Sequence, residues 1–418
     1  MVGWITKPIG DVTTIINGGT PKSKVAEYWD GDVLWITPKD MGQLDSNYVS
    51  DTCRKISDKG LAKSSAKLIP ANSVILSTRA PIGHLVINTL PMATNQGCRG
   101  LVPSELLDTK YLFYFLRLNV GLLNDLGSGT TFKELSKSAL AGVEIPLPSL
   151  PEQKRIVAIL DEAFAGIDAA VANTEKNLAN ARELFESYLN AVFTQKGDGW
   201  VEKKFGDADL IQIIDGDRGV NYPKKADFLD EGFCLFLNTK NVRPDGFNFD
   251  TTMFITEEKD KALRKGKLKR RDVILTTRGT IGNIAVYDDS VAYDAIRINS
   301  GMLIFRPNEK VIQSEYLFEI LRSGIMKSQI ERFVSGAAQP QLPIKTLVNF
   351  SIPVPVDLAD QGRIVARLKE LSVETQSLET VYQQKLEALV ELKQSILQKA
   401  FAGELTVLPE KTLEEAVA

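Results

Sequence analysis

The feature that most constrains this chain is the run from Pro151 to Phe193, which reads as one long helix. Its seam residues are Ile156, Leu160, Ala163, Ile167, Ala170, Thr174, Leu178, Ala181, Phe185, Tyr188 and Val192. Their spacing mostly alternates between four and three, the narrow stripe of a coiled coil rather than the broad face of a globular helix. Pro151 suits a first helical turn, Glu152 and Asp161 lie toward its positive end, and Gly197 and Gly199 stop the helix. About 42 residues at 1.5 Å each make a rod of roughly 60 Å.

A lone apolar seam needs a partner, and the pattern returns between Asp360 and Phe401. There the seam runs Ile364, Leu368, Leu371, Thr375, Leu378, Tyr382, Leu386, Leu389, Ile396 and Ala400. Both segments open on Gln-x-Arg-Ile-Val, at Gln153–Val157 and Gln361–Val365, and both follow an Ile-Pro-x-Pro stretch, at Ile145–Pro148 and Ile352–Pro355. Helices repeated in this way imply that the segments before them are repeated as well.

Residues 1–150 form a first unit. Short strands are expected at Val12–Ile16, Val33–Ile36, Val74–Ser77, His84–Ile87 and Val143–Leu147, with a turn at Tyr28–Asp32 and a buried helix at Tyr111–Leu118. Residues 195–357 repeat the order. Gly199-Trp200 answers Gly3-Trp4, Thr277-Arg278 answers Thr78-Arg79, Tyr316-Leu317-Phe318 answers Tyr111-Leu112-Phe113, and Ser335-Gly336 answers Ser128-Gly129. The spacer helices occupy 151–194 and 358–403, and a weakly patterned tail occupies 404–418. The expected fold is therefore α+β: two similar mixed α/β domains joined by two long antiparallel coiled-coil helices, pseudo-twofold and circular. Phe401 is expected beside Trp4, as Phe193 is beside Trp200.

The chemistry of the sequence is that of a binder. A single histidine, His84, sits in an expected hairpin, and the three cysteines (Cys53, Cys98, Cys234) lack the spacing of a zinc or redox motif. No phosphate-binding GxxxxGK[ST] loop, HExxH or GxSxG occurs. The net charge of −3 excludes an overall basic coat without constraining local faces. No run is apolar and long enough to span a bilayer and the start lacks a signal-peptide core, so the expected compartment is the cytoplasm.

What the sequence offers instead is hydrogen-bond donors on loops, twice. Ser77-Thr78-Arg79 and Thr276-Thr277-Arg278 end strands before a glycine turn. Such an arginine can hold phosphate or read guanine, or it can pair with a carboxylate and hold the turn. Lys22, Lys24 and Lys39 in the first unit resemble Arg218, Lys224, Lys225, Lys240 and Arg243 in the second, and Thr20, Thr37, Ser128, Asn221, Tyr222, Asn241 and Ser335 are further candidates on the loops. Taken singly, each is an ordinary solvated side chain; their recurrence suits a nucleic-acid face.

The order of these motifs resembles the specificity subunit of type I restriction–modification systems. The resemblance rests on Gly18-Gly19-Thr20-Pro21, Tyr28-Trp29 and Trp35-Ile36-Thr37, and on the paired Thr-Arg…Ile-Gly strands. It rests also on the paired IPxP–Gln-x-Arg-Ile-Val junctions and the closing Gln398–Leu405. In the second unit Asp215–Pro223 and Leu235–Val242 are similar to a recurrent variety of target recognition domain. The resemblance implies that each domain reads one half of a bipartite site in double-stranded DNA, and that the helices set the spacer and dock two methyltransferase subunits. It also implies that catalysis, with S-adenosylmethionine, ATP and magnesium, belongs to the methyltransferase and restriction subunits, with no cofactor in this chain. The two domains differ in their first loops, so an asymmetric site is implied. The competing reading is an adaptor whose paired units bind proteins; a stand-alone nuclease or methyltransferase has little support.

Overall fold

The computed structural model describes residues 4–79, 81–129, 133–244, 246–334 and 341–406. Two helices dominate it, a central helix at Leu150–Gln195 and a C-terminal helix at Leu358–Phe401. The chain divides into two compact units, Met1–Glu175 with Gln384–Ala418, and Lys176–Gln383. Each unit therefore contains part of both long helices.

In the first unit Ile5–Pro8 pairs antiparallel with Glu144–Leu147. A five-stranded sheet has the order Thr13–Asn17, Cys98–Pro103, Ser73–Thr78, Ile82–Asn88, Tyr48–Val49. A three-stranded sheet has the order Arg54–Ile56, Trp29–Ile36, Ala93–Thr94. The expected strands fall on these elements. The expected turn at 28–32 does not, because the strand already starts at Trp29. Its partner register shifts between Trp29 and Val33, and Asp30 takes φ 57°, so a bulge absorbs the extra residues inside the strand.

The helix Thr109–Leu118 has Asp108 as its cap, accepting from the Lys110 and Tyr111 amides at 2.9 and 3.0 Å. Tyr111 through Leu116 are all buried, as its apolar run requires. Around it gather Ile156, Leu160, Phe164 and Ile167 of the central helix, and Leu397, Ala400 and Phe401 of the C-terminal helix. The Phe401 ring lies 4.9 Å from Tyr111 and 5.4 Å from Phe115, and Trp4 packs on the same core.

The second unit repeats the plan. Trp200–Lys204 pairs antiparallel with Ser351–Pro355. One sheet runs Ile211–Asp215, Met302–Pro307, Val273–Thr276, Ile284–Val286; the other runs Phe254–Ile255, Cys234–Leu237, Ile296–Ile298. Tyr316 takes the place of Tyr111: its hydroxyl donates to the Pro353 carbonyl at 2.8 Å, as Tyr111 donates to Pro146 at 2.9 Å. Phe193 and Trp200 stand 5.6 and 6.4 Å from the Tyr316 ring. The end of the C-terminal helix thus enters the first core as the end of the central helix enters the second.

Within the second unit Arg182 pairs with Glu379 at 2.9 Å, while Leu189 and Phe193 share a core with Ile364 and Leu368, so the two helical segments run in opposite directions. The polar seam positions keep the same bargain in both helices. Thr174 is buried and donates to the Ala170 carbonyl at 2.7 Å; Thr375 is buried and donates to Leu371 at 2.9 Å. Leu378, expected in the seam, is 41% exposed.

Candidate nucleic-acid interface

In the first unit the loop after Thr13–Asn17 is pulled tight by two glycines. Any side chain on Gly18 would collide with the Asn95 carbonyl, and any on Gly19 with the Ser65–Ala66 backbone. Two indoles then anchor the loop. Trp35 Nε1 donates to the Gly19 carbonyl at 3.0 Å and Trp29 Nε1 to the Lys22 carbonyl at 3.3 Å. The rings meet edge to face at 5.2 Å, and the Arg54 guanidinium lies 3.8 Å from the Trp29 centroid. The consequence is a rigid base from which Thr20, Lys22 and Lys24 project, all three exposed.

The turn Asn95-Gln96-Gly97 links this loop to two others. The Gln96 side chain contacts Thr20 Oγ1. Gly97 leaves room for Pro38 Cγ and the Arg79 carbonyl, which would lie 3.2 and 3.7 Å from a Cβ there. Thr37 caps the short helix Pro38–Met41 through a reciprocal bond with Asp40, leaving Lys39 exposed. Arg79 sits opposite Glu134, 3.8 Å from its carboxylate, and the Ser128 backbone bridges to the same Glu134. Thr20, Thr37, Lys39, Arg79 and Ser128 therefore border one polar face.

The second unit builds the same face with different side chains. Gly216 packs on the Asn299 carbonyl as Gly18 does on Asn95. The Gly301 amide donates to Asn299 Oδ1 at 2.9 Å, and the Gly97 amide to Asn95 Oδ1 at 3.0 Å. Gly301 has Thr239 and Arg278 beside it, where Gly97 has Pro38 and Arg79. Lys240 and Asn221 are exposed, with Asn221 Nδ2 donating to Ala262 at 3.2 Å. Arg218 is exposed and leans on Asp215 at 3.2 Å. Lys224 is exposed; Tyr222 is half-buried, edge-on to Phe236 at 5.8 Å. Arg278 is half-buried and bridges through its backbone to Gln341. Ser335, and Thr130-Thr131 of the glycine loop after Ser128, lie outside the described residues.

Five of the sequence-derived candidates are committed to the scaffold. Ser77 Oγ donates to the Pro81 carbonyl and accepts from the His84 amide, both at 2.8 Å. Thr276 makes the equivalent pair with Thr280 and Asn283. Thr78 and Thr277 donate to Gly97 and Gly301, and all four hydroxyl residues are buried. Asn241 is 1% exposed; its amide donates to Asn248 and Thr251 and its oxygen accepts from Asn238. These side chains hold the turns that carry Arg79, Arg278 and Lys240; each hydroxyl proton is spent on a backbone carbonyl and burial keeps the remaining lone pairs away from a ligand.

Gln96, Arg99 and Arg264 border these loops and were not among the sequence-derived candidates. Arg99 bonds Asn17 Oδ1 at 3.1 Å and the Leu135 carbonyl, and burial lowers its pKa. Arg264 lies against Gly219. Gln96 stands in the first of the paired Asn-x-Gly triplets, Asn95–Gly97 and Asn299–Gly301, which the sequence shows in both units.

Asp217 ties the second unit's loop together. It is 5% exposed and accepts from the amides of Gly219 (2.6 Å), Arg264 (2.7 Å) and Lys265 (3.3 Å). Burial alone would raise its pKa, but the three N–H donors and the nearby Arg264 charge outweigh it and bring the pKa below the ordinary carboxylate value.

These features define a class: a duplicated scaffold whose units each present a rigid, cation-bearing loop face. Among the described residues no group of three or more His, Cys, Asp or Glu side chains could hold a metal ion, and no helix is long and apolar enough to cross a membrane. The chain belongs to the type I restriction modification DNA specificity domain family, whose model matches residues 1–178 and 198–388. It is 29% identical to the MjaIX type I restriction enzyme specificity subunit of Methanocaldococcus jannaschii, over 97% of this chain and 94% of that one. It is 25% identical to the EcoBI specificity subunit of Escherichia coli, over 76% and 70%. In fold it is similar to the HsdS subunit from Thermoanaerobacter tengcongensis, with TM-score 0.62 at 20% identity over 97% and 98% of the chains. It is also similar to a chain solved in work on complex assembly of the type I R-M system, with TM-score 0.76 at 21% identity over 97% and 99%. Membership places the chain among specificity subunits, not among catalytic ones, and disfavours the adaptor reading.

Proposed function

We propose that each unit reads one half of an asymmetric bipartite DNA site, and that the long helices set the gap and dock two methyltransferase subunits. One observation carries this reading. The turn at Asn95–Gly97 and the turn at Asn299–Gly301 organise the same loops, yet the side chains they present differ: Thr20, Lys22 and Arg99 in one unit, Arg218, Asn221 and Lys240 in the other. Shared backbone with unlike donors supports one mode of docking and two different sequences read.

On this reading Arg79 and Arg278 each reach DNA from the equivalent strand end of its own unit, and the cationic loop residues hold phosphates. S-adenosylmethionine, ATP and magnesium belong to partner methyltransferase and restriction subunits, and the assembly works in the cytoplasm. The net charge of −3 supports weak binding by the bare subunit at physiological salt, with the partners adding electrostatic grip. Footprinting of the chain together with its methyltransferase subunit tests the reading. Two protected patches separated by an accessible gap are expected; no protection would end it.

A further inference from the structure

The second unit carries a basic stretch, KALRKGKLKRRD at 261–272, whose side-chain charges, Arg264 apart, have no part in the face described above. It runs beside the Asp215–Gly219 loop. Asp217 accepts the Arg264 and Lys265 amides, and a Cβ on Gly266 would stand 3.2 Å from the Gly216 Cα. Together with Asp215, Arg306 and Gln212 the stretch lines an open groove of about 660 Å³. Several of its cations are spent locally: Lys267 pairs with Asp260, Arg270 with Asp294, Arg271 with Glu315, and Arg306 with Asp272. Arg264, Lys265 and Lys269 are exposed and form no ion pair among the described residues.

The first unit has the same backbone with less charge: its matched stretch, 62–73, carries only Lys63 and Lys67, at other positions. The Leu268 amide donates to Ile296 as the Ile69 amide donates to Met92, and Arg271 and Asn72 share a positive φ of 74° and 59°. Counting from these matched residues, Arg264, Lys265 and Lys269 answer Ser65, Ala66 and Pro70. Ser65 and Ala66 lie against Gly19, as Arg264 lies against Gly219.

We propose that Arg264, Lys265 and Lys269 form a phosphodiester-binding ledge. It continues the recognition face of the second unit past its base-reading loops and gives that unit a sequence-independent grip at three positions where the first unit carries no charge. The proposal rests on the DNA-reading function above. Asp217 acts as the positioning residue, because one buried carboxylate fixes the ledge to the loop that bears Arg218. Three cations on an exposed edge suit the regularly spaced anions of a duplex backbone, Lys265 and Lys269 as point charges and the Arg264 guanidinium as a planar fork that matches two phosphate oxygens.

The test uses the full chain assembled with its methyltransferase subunit and two duplexes of equal length, one carrying the methylated site and one of random sequence. The variant is Arg264→Gln/Lys265→Gln/Lys269→Gln, with Lys269→Glu alone as a milder second variant. The slope of log Kd against log salt should become shallower by roughly two to three for the triple variant. Affinity should fall by the same factor on both duplexes, and the methylated sequence should stay the same. The converse variant, Ser65→Arg/Pro70→Lys, places charge at two exposed positions and should steepen the slope. Unchanged slopes with wild-type affinity overturn the ledge while leaving the recognition reading intact. An altered methylated sequence overturns it as well, since the three would then be base readers. Failure of the wild-type complex to prefer its site overturns the recognition reading itself and the ledge with it.

Discussion

Gln153 and Gln361 make the same three hydrogen bonds in two different units. The Gln153 side-chain oxygen accepts from the Asp108 amide at 2.9 Å, and its nitrogen donates to Leu106 and Pro148, each at 2.9 Å. Gln361 accepts from the Gln313 amide and donates to Val311 and Pro355, again at 2.9 Å each. Both side chains are fully buried. Each clamps the start of a long helix to the loop before a buried helix and to the end of the IPxP strand, which fixes the angle at which the helix leaves the unit.

Gln361→Ala should therefore destabilise the second unit by about 3 kcal/mol, because it orphans three buried backbone groups as well as opening space. Gln361→Glu should be nearly as costly, since a carboxylate cannot donate to Val311 and Pro355. Chemical denaturation followed by hydrogen exchange in the two units separates the effects. Gln153→Ala should act in the same way on the first unit.

Acid should loosen the second unit's loop. Asp217 has a folded pKa below its ordinary value, so its contribution is fully present above about pH 4 and is lost as pH falls through the lower, folded value. Asp260 follows the same sign: burial would raise its pKa, but Lys267 and Arg297 bring it down. Amide exchange at Gly219, Arg264 and Lys265 should therefore rise as pH drops below about 4, once corrected for intrinsic rates. In Asp217→Asn those amides should already exchange fast at neutral pH.

Trp35→Phe keeps the packing against Trp29 and removes the indole bond to the Gly19 carbonyl. A loss of about 1 kcal/mol in stability is expected. Recognition of the half-site read by the first unit should fall, and that of the other half-site should not. Competition binding with duplexes altered in one half at a time reports the split.

Arg278→Ala should weaken discrimination at one base pair of the second half-site by roughly 1–3 kcal/mol if the guanidinium reads guanine, and the salt slope should fall by about one if it holds phosphate. Arg79→Ala should act on the other half-site. Equal loss on both halves from either substitution would identify a folding role.

Inserting four residues into the central helix adds about 6 Å of rise. The methylated motif should keep both halves and gain spacer. A change in either half would mean that the helix takes part in reading.

The long helices were legible because a coiled-coil seam is written in local spacing, and their observed limits lie within a few residues of the expected ones. The duplication was legible because equivalent residues recur in the same order, and Tyr111 and Tyr316 proved to be equivalent in their bonds as well. The site was legible only in part. Arg79, Lys39 and Lys240, chosen from residue type and position after strands, are exposed on the loops. Ser77, Thr78, Thr276, Thr277 and Asn241 were chosen on the same ground, but their polar atoms turn inward to serve buried backbone, a fact set by distant residues such as Gly97, Gly301 and Thr251. The strand at Trp29 was hidden because Asp30-Gly31 has turn composition, and only the partner strand Arg54–Ile56 makes it a bulge.

The most direct test is methylome sequencing of cells that carry this chain and its methyltransferase partner, wild type beside Arg278→Ala. The account predicts one motif with two unlike halves and a degenerate gap, and relaxed sequence in one half alone for the variant. A palindromic or uninterrupted motif, or relaxation of both halves together, would contradict it.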